Sequence, residues 1–126
     1  MAIPTRLEYE SIQPFQKDLK KLLKKYRTLE EDLETAKTNA IELYHIKQIY
    51  NDSIFPIPNF CTDKIQVCKL KRFACRSLKG RGVKSGIRVI YAFHTETHKV
   101  DFIEMYFKGE KQNQDDERIT DYLRSI

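Results

Sequence analysis

Two lysines and an arginine near the middle of the sequence have the residue types and spacing that bind phosphate. Lys69 and Lys71 are two positions apart in a stretch that alternates polar and apolar residues, so both side chains leave the same face of a β-strand. Their charges repel each other, and a bound phosphate would offset that repulsion. Arg88 lies close to Gly86, and its planar guanidinium can hold two phosphate oxygens at once. The alternative interpretation is a solvated edge strand, where lysines are also common.

The positive charge of the chain is concentrated around these residues. The 126 residues include 23 basic and 18 acidic side chains, for a net charge of +5. Residues 61–88 contain nine of the basic residues and a single acidic one, so the rest of the chain has a net negative charge. The nine are Lys64, Lys69, Lys71, Arg72, Arg76, Lys79, Arg81, Lys84 and Arg88. This distribution predicts an anionic partner for the segment.

The connection Ser77–Ser85 is basic and punctuated by glycines. It resembles a phosphate-binding loop, but it lacks Walker A spacing, and a predicted strand follows it instead of a helix. A loop that contacts nucleic acid and a plain solvated hairpin loop both fit these residues. The side chains that we predict to contact phosphates in and around this loop are Lys64, Arg72, Arg76, Lys79, Arg81 and Lys84.

Two further residues extend the candidate site. Tyr106 and Lys108 share a face at the end of a later predicted strand, beside the expected position of Arg88. A tyrosine next to two cations can have a lowered pKa and act in acid–base catalysis. We therefore include both residues in the predicted site.

The cysteines and histidines do not form a metal-binding pattern. Cys61, Cys68 and Cys75 recur every seven residues, which places successive thiols on opposite faces of a strand. The histidines, at positions 45, 94 and 98, have no ligand spacing with them. We predict no metal and no cofactor.

Length and composition exclude several classes of protein. The longest apolar run, residues 89–93, is far shorter than the roughly 20 residues that span a bilayer. The first ten residues lack the pattern of a secretion signal. Three cysteines cannot all pair within one chain, which argues for a reducing compartment. We expect a cytoplasmic protein without membrane contact, with a single domain over residues 1–126.

The periodicity of apolar residues changes along the chain. Alternation over residues 5–12 predicts a strand, and Pro14 then begins a helix with apolar residues at helical spacing. A capping-box pattern, Thr28 and Glu31, begins a second helix that ends at residues 51–53 and forms a hairpin with the first. After an irregular connection over residues 54–62, we predict strands Lys64–Arg76, Gly86–His94 and Lys99–Lys108 and a short helix within Gln112–Ile126. The order predicts an α+β fold, with the hairpin packed on one face of an antiparallel-rich sheet of about four strands.

Four segments, in order, resemble the RelE/ParE-like toxins of bacterial type II toxin–antitoxin systems. Lys84–Tyr91 resembles the family's Gly-aromatic-Arg-Val-(Ile/Leu)-Tyr strand, and Val67–Lys71 is similar to its Lys-x-Lys strand. Phe102–Lys111 resembles the closing strand, and Phe15–Leu22 fits the opening helix. The resemblance covers most of the chain and implies a RelE-like fold.

In the ribosome-dependent RNase branch of that family, basic side chains stabilise charge while a 2′-hydroxyl of mRNA attacks the adjacent phosphate. The resemblance assigns these roles to Lys69, Lys71 and Arg88. Two features depart from it: Gly109 follows Lys108 where the branch often has an arginine, and its C-terminal tyrosine has no match. The predicted catalytic set is therefore Arg88, Lys69, Lys71, Lys108 and, in place of that tyrosine, Tyr106.

The resemblance implies a toxin that inhibits translation as a metal-independent endoribonuclease. Its expected partners are mRNA on the ribosome and a cognate acidic antitoxin. Two alternatives remain, a non-enzymatic DNA gyrase inhibitor of the ParE type and an RNA-binding module without catalysis. The Lys-x-Lys pair favours the RNase.

Overall fold

The computed structural model describes residues 6–78, 80 and 84–126. Lys79 and Arg81, from the predicted phosphate-binding set, lie outside the described residues. The strands are β1 (Glu8–Ser11), β2 (Ile54–Pro56), β3 (Ile65–Leu70), β4 (Ile87–His94) and β5 (Lys99–Phe107). The helices are α1 (Gln13–Leu23), α2 (Leu29–Ala36), α3 (Leu43–His45) and α4 (Asp116–Arg124), with a π-helical turn over Lys37–Glu42 and a 3₁₀ turn over Pro58–Phe60.

The described strands form one mixed sheet in the order β1-β5-β4-β3-β2. β1 is parallel to β5, and the other neighbouring pairs are antiparallel. The α+β class is confirmed, but the expected number of about four strands is wrong because the sheet has five. The additional strand is β2, in the stretch that we predicted to be irregular. Pro56 can end β2 because this strand lies at the edge of the sheet, where a missing N–H leaves no neighbour unpaired.

The boundaries of the other elements differ from the predictions in informative ways. β3 ends at Leu70, whereas we predicted a strand to Arg76, because alternation of polar and apolar residues stops at Arg72. The strands β4 and β5 agree with the predictions to within one residue at each end. The C-terminal helix is confirmed, and the Asp115 side chain begins it by accepting a hydrogen bond from the N–H of Arg118 (3.1 Å).

The second helical segment departs most from its prediction. It runs from α2 through the π-helical turn into α3 and ends at His45, several residues before the expected stop. The Asn51 side chain donates to the carbonyl of Ala40 (3.0 Å), so it contacts the helix without extending it. The predicted capping box is also wrong, because the Thr28 hydroxyl donates to Asp32 (2.7 Å) rather than pairing with Glu31.

The sheet has an apolar core on each face. Cys68 and Leu70 of β3 pack with Phe15 of α1 and Leu29 of α2, so their predicted orientation toward these helices is confirmed. On the other face, α4 places Ile119 and Tyr122 against buried residues of β3, β4 and β5. Lys69, between Cys68 and Leu70, therefore belongs to the face that carries α4. None of the described helices is long and apolar enough to cross a membrane.

An ion pair takes the place of a missing strand neighbour along the second half of β5. β1 pairs with β5 only as far as Phe102. Beyond it, the Met105 N–H donates to the Asp18 carboxylate (3.1 Å), and the Arg118 guanidinium donates to the Ile103 carbonyl (3.1 Å). Asp18 and Arg118 also contact each other at 2.6 Å. This pair therefore connects α1, β5 and α4.

We predict that Asp18→Ala destabilises the protein by about 1–3 kcal/mol, because it leaves the Met105 N–H and the Arg118 guanidinium without their acceptor. Asp121→Ala is the matched control, since Asp121 is an exposed aspartate of α4, and we expect a change within about 0.5 kcal/mol. Urea unfolding measures both values. Equal stability of the two variants would show that the ion pair does not join these elements.

Candidate functional site

A cleft of about 590 Å³ opens where β3 ends, β4 begins and β5 ends. Its lining residues are Asp52, Phe55, Lys71, Arg72, Lys84, Gly86, Arg88 and Lys108. We call it the cationic cleft because, among the described residues, five basic side chains and one carboxylate line it. Such an excess of positive charge in a concave surface attracts an anion.

The strand register brings these residues together from distant parts of the chain. The Arg88 guanidinium donates to the Lys71 carbonyl (3.1 Å), which holds the arginine against the end of β3. The Lys108 N–H donates to the Gly86 carbonyl (2.8 Å), which places the end of β5 beside the start of β4. Gly86 has φ +84°, and a Cβ there would lie 3.0 Å from the Phe107 ring. Glycine is therefore favoured at this position by both its backbone conformation and the nearby ring.

Lys69 adjoins the cationic cleft on the face of the sheet that carries α4. Its pKa is lowered, first by burial and then by the charges of Lys71 and Arg88, while Asp116 and Glu104 act in the opposite direction. The repulsion expected between Lys69 and Lys71 is therefore present in the fold. Glu104 is buried, accepts the Asp115 N–H (2.8 Å) and pairs with Lys111.

Tyr106 lies directly opposite Arg88 in the β4–β5 pairing. Its side chain is buried, and its pKa is raised by burial and by Glu104, against a smaller lowering by Arg88. The expectation of a lowered pKa is therefore wrong. The sequence prediction considered the neighbouring cations but not the burial of the ring or the buried carboxylate two residues away. A tyrosine in this state is protonated at neutral pH and can donate a proton.

The segment that follows β3 is fixed to α2 by hydrogen bonds. Thr28 and Ser77 each donate a backbone N–H to the hydroxyl oxygen of the other, both at 3.0 Å. The buried Asp32 carboxylate accepts from the backbone N–H and the Nε of Arg76, both at 3.1 Å. Glu31 contacts Arg76 as well, and the hydrogen bonds to Asp32 and Glu31 raise the pKa of the arginine. Arg76, predicted to contact phosphates, is instead paired with α2 and does not line the cationic cleft.

Of the other residues predicted to contact phosphates, two line the cationic cleft and one lies outside it. Arg72 and Lys84 line the cationic cleft. Lys84 is followed by the buried Ser85, which donates to the Phe73 carbonyl (2.5 Å) and so joins the two sides of the connection. Lys64 precedes β3 at its other end, about 23 Å along the strand from Lys71. Lys64 is therefore outside the cleft.

Phe55 and Asp52 are cleft residues that the sequence reasoning missed. Phe55 pairs with Lys69 across β2 and β3, and the Lys71 ammonium lies 4.8 Å from the centroid of its ring. The ring is half-buried and can stack on a base. Neither residue had a signal in the sequence: Pro56, the last residue of β2, and Pro58 after it favoured an irregular connection, and Asp52 belonged to the polar residues that we predicted to end the second helix.

Two histidines outside the cleft are hydrogen-bonded to tyrosines, and one of these pairs also contacts Asp101. His45 is hydrogen-bonded to Tyr91 (2.7 Å) and His94 to Tyr122 (2.7 Å). Among the described residues, no three His, Cys, Asp or Glu side chains are grouped so that they could hold a metal ion.

Comparisons with known proteins identify the fold. No family model matches the chain, and no curated protein matches it. A chain of the archaeal RelE–RelB complex from Pyrococcus horikoshii OT3 is similar in structure, with a TM-score of 0.50 and 12% identity. A metal-bound toxin from Helicobacter pylori is also similar, with a TM-score of 0.50 and 16% identity. Each match covers 83% of this chain and 98% of the other. The chain therefore has the RelE-like toxin fold.

We predict that binding of a non-cleavable single-stranded oligonucleotide weakens steeply with salt. Each phosphate contact contributes about 0.7 to the negative slope of log affinity against log salt concentration, so five contacts give a slope of about −3.5. Lys84→Met and Lys108→Met should each make the slope shallower by about 0.7. Lys64→Met is the control and should leave the slope unchanged. Fluorescence anisotropy at several salt concentrations measures this slope. If all three substitutions changed the slope equally, the oligonucleotide would bind outside the cleft.

We also predict that oligonucleotide binding weakens as the pH rises, and that the decline begins below the ordinary lysine pKa of 10.5. The reason is that the pKa of Lys69 is lowered, so this side chain loses its charge at a lower pH than an exposed lysine does. Lys69→Arg keeps the charge throughout and should remove this decline, while Lys64→Arg should not. A titration of affinity against pH tests this. A decline that persists in Lys69→Arg would assign it to another group.

Proposed function

We propose that this protein is the toxin of a toxin–antitoxin system and cleaves mRNA as a metal-independent endoribonuclease. The observation that supports the proposal most strongly is the convergence of Lys71, Arg88 and Lys108 on one cleft of a RelE-like fold. The ring of Phe55 beside them adds a surface on which a base can stack. Single-stranded nucleic acid is bound by this combination of cations and aromatic rings.

In the proposed reaction, a 2′-hydroxyl of the RNA attacks the adjacent phosphorus, and the bond from phosphorus to the 5′-oxygen breaks. The products are a 2′,3′-cyclic phosphate and a free 5′-hydroxyl. Arg88, held by the Lys71 carbonyl, is positioned to bind two phosphate oxygens as negative charge accumulates on them. Lys69, Lys71 and Lys108 add positive charge around the same phosphate.

Tyr106 is the proposed proton donor to the leaving 5′-oxygen. It lies opposite Arg88 in the sheet, and its hydroxyl is protonated throughout the neutral range, although burial and Glu104 raise its pKa and make it a weaker acid than a free tyrosine. As pH increases, the donor is lost only when the raised pKa is reached.

The proposed partner is an acidic antitoxin. The cationic cleft concentrates positive charge on an open surface, and a segment rich in Asp and Glu complements it. The similar RelE chain was crystallised as a RelE–RelB complex, which supports a protein partner for this fold. Binding of such a segment in the cleft would exclude mRNA.

Arg88→Ala should reduce the rate of RNA cleavage by about 100–1,000-fold, or roughly 3–4 kcal/mol, the usual cost of removing one preorganised charge at a reacting phosphate. The matched control is Arg27→Ala, because Arg27 is exposed and lies in the connection between α1 and α2. Induced expression should arrest growth for the parent and for Arg27→Ala, but not for Arg88→Ala. Arrest by all three proteins would remove Arg88 from the proposed active site.

The reaction itself is tested with purified protein, ribosomes and mRNA in a buffer that keeps the magnesium needed by the ribosome but has been cleared of transition-metal ions with a selective chelator. We expect cleavage to continue, and to stop when the nucleotide at the cleavage site is 2′-deoxy. Cleavage of the deoxy substrate would contradict attack by the 2′-hydroxyl. Growth arrest with intact mRNA and broken DNA would favour the gyrase inhibitor instead.

A further inference from the structure

A second cavity, of about 420 Å³, lies at the other end of the sheet from the cationic cleft. We call it the distal pocket, and the lining residues used below are Tyr44, His45, Gln48, Tyr50, Gln66 and Phe93. Gln66 is five residues before Lys71, which separates the two sites by about 16 Å along the strand. The odd spacing also places them on opposite faces of the sheet. A ligand of the distal pocket is therefore independent of the cationic cleft.

The distal pocket is uncharged and aromatic. None of its described lining residues is Lys, Arg, Asp or Glu. Burial lowers the pKa of His45 to about 4, so its ring is neutral at physiological pH. The ring stacks on Phe93 at 4.1 Å and is held by the hydrogen bond to Tyr91 (2.7 Å). These contacts fix a rigid aromatic surface.

The same pocket contains polar side chains that have no partner in the protein. Within the described ranges, the Tyr44 and Tyr50 hydroxyls and the Gln48 and Gln66 amides make no hydrogen bond with another residue. Burial raises the pKa of Tyr44, so its hydroxyl remains a donor. Donors and acceptors are both available to a ligand.

The rim of the distal pocket has the exposed apolar surface of a binding site. Tyr50 is 66% exposed and Ile49 is 49% exposed, and among the described residues the only other large apolar side chain so exposed is Ile126. Gln48, which precedes them, has φ 55°. This conformation ends the helical segment, because the Ile49 N–H donates to the Leu43 carbonyl (3.1 Å). It leaves two neighbouring apolar side chains exposed, and grouped exposed apolar residues mark interaction surfaces.

We propose that the distal pocket binds the uncharged planar ring of a nucleobase, either as a free nucleoside or as a base of an RNA strand. The aromatic side chains can stack on such a ring, and the amides and hydroxyls can pair with the donors and acceptors along its edge. An apolar peptide side chain would stack equally well but would form no hydrogen bonds with those polar groups in place of the water that it displaces. The volume is also within the range of small-molecule sites.

The test uses nucleosides, because they lack the phosphate that the cationic cleft recognises. Adenosine, guanosine, cytidine and uridine are titrated into the full-length Arg88→Ala protein, and the NMR signals of the tyrosine and histidine rings are followed. We expect saturable shifts of Tyr44, His45 and Tyr50. Tyr50→Ala should weaken binding about tenfold or more, as expected for loss of one stacking contact, and the exposed-residue control Ile126→Ala should not.

A second titration separates the two sources of the base. If Tyr50→Ala also weakens binding of a short RNA, the base belongs to an RNA strand; if RNA binding is unchanged, the ligand is a free nucleoside. The proposal is wrong if no nucleoside shifts these signals, or if Tyr50→Ala binds nucleosides as well as the parent does. It is also wrong if N-acetyl-tryptophanamide binds more tightly than every nucleoside, because the pocket would then favour a protein side chain.

Discussion

The mutual repulsion of the cations at one end of the sheet is the constraint on which the site depends. The antiparallel registers of β3, β4 and β5 bring Lys71, Arg88 and Lys108 to one cleft, although 37 positions of sequence separate the first from the last. The Lys71 carbonyl holds Arg88 in place. The charges of Lys71 and Arg88 add to burial in lowering the pKa of the neighbouring Lys69, so like charges oppose each other there, and an anion in the cleft would offset that cost.

The rest of the fold holds the strand ends against this repulsion. The Thr28–Ser77 hydrogen bonds and the Asp32–Arg76 ion pair fix the segment after β3 to α2. Ser85 joins the two sides of the connection that leads to β4. Beside the second half of β5, the Asp18–Arg118 pair connects α1, β5 and α4. Because these contacts lie outside the cleft, they do not use the charges of the cations that line it.

The sequence predicts those features that depend on local pattern. Alternation predicts that Lys69 and Lys71 share a face, and both meet Phe55, which pairs with Lys69 and carries the Lys71 ammonium over its ring. The turn after β4 and the helical spacing after Asp115 predict β5 and α4. Features that depend on distant partners were missed. From the sequence, Arg76 was predicted to contact phosphates. Only the fold shows that it pairs with Asp32, which lies 44 positions earlier in the chain. Phe55 was missed because Pro56 obscures an edge strand that only pairing with β3 reveals.

The most direct test of the repulsion is the free energy of unfolding of Lys108→Met compared with the parent, measured without nucleic acid at low and high salt. Lys108 is exposed, so the substitution removes a charge without opening the core. We expect the variant to be more stable by about 0.5 kcal/mol at low salt, and the difference to disappear at high salt, where the charges are screened. A variant that is less stable than the parent at low salt would contradict the claim that the cleft holds its cations against their repulsion.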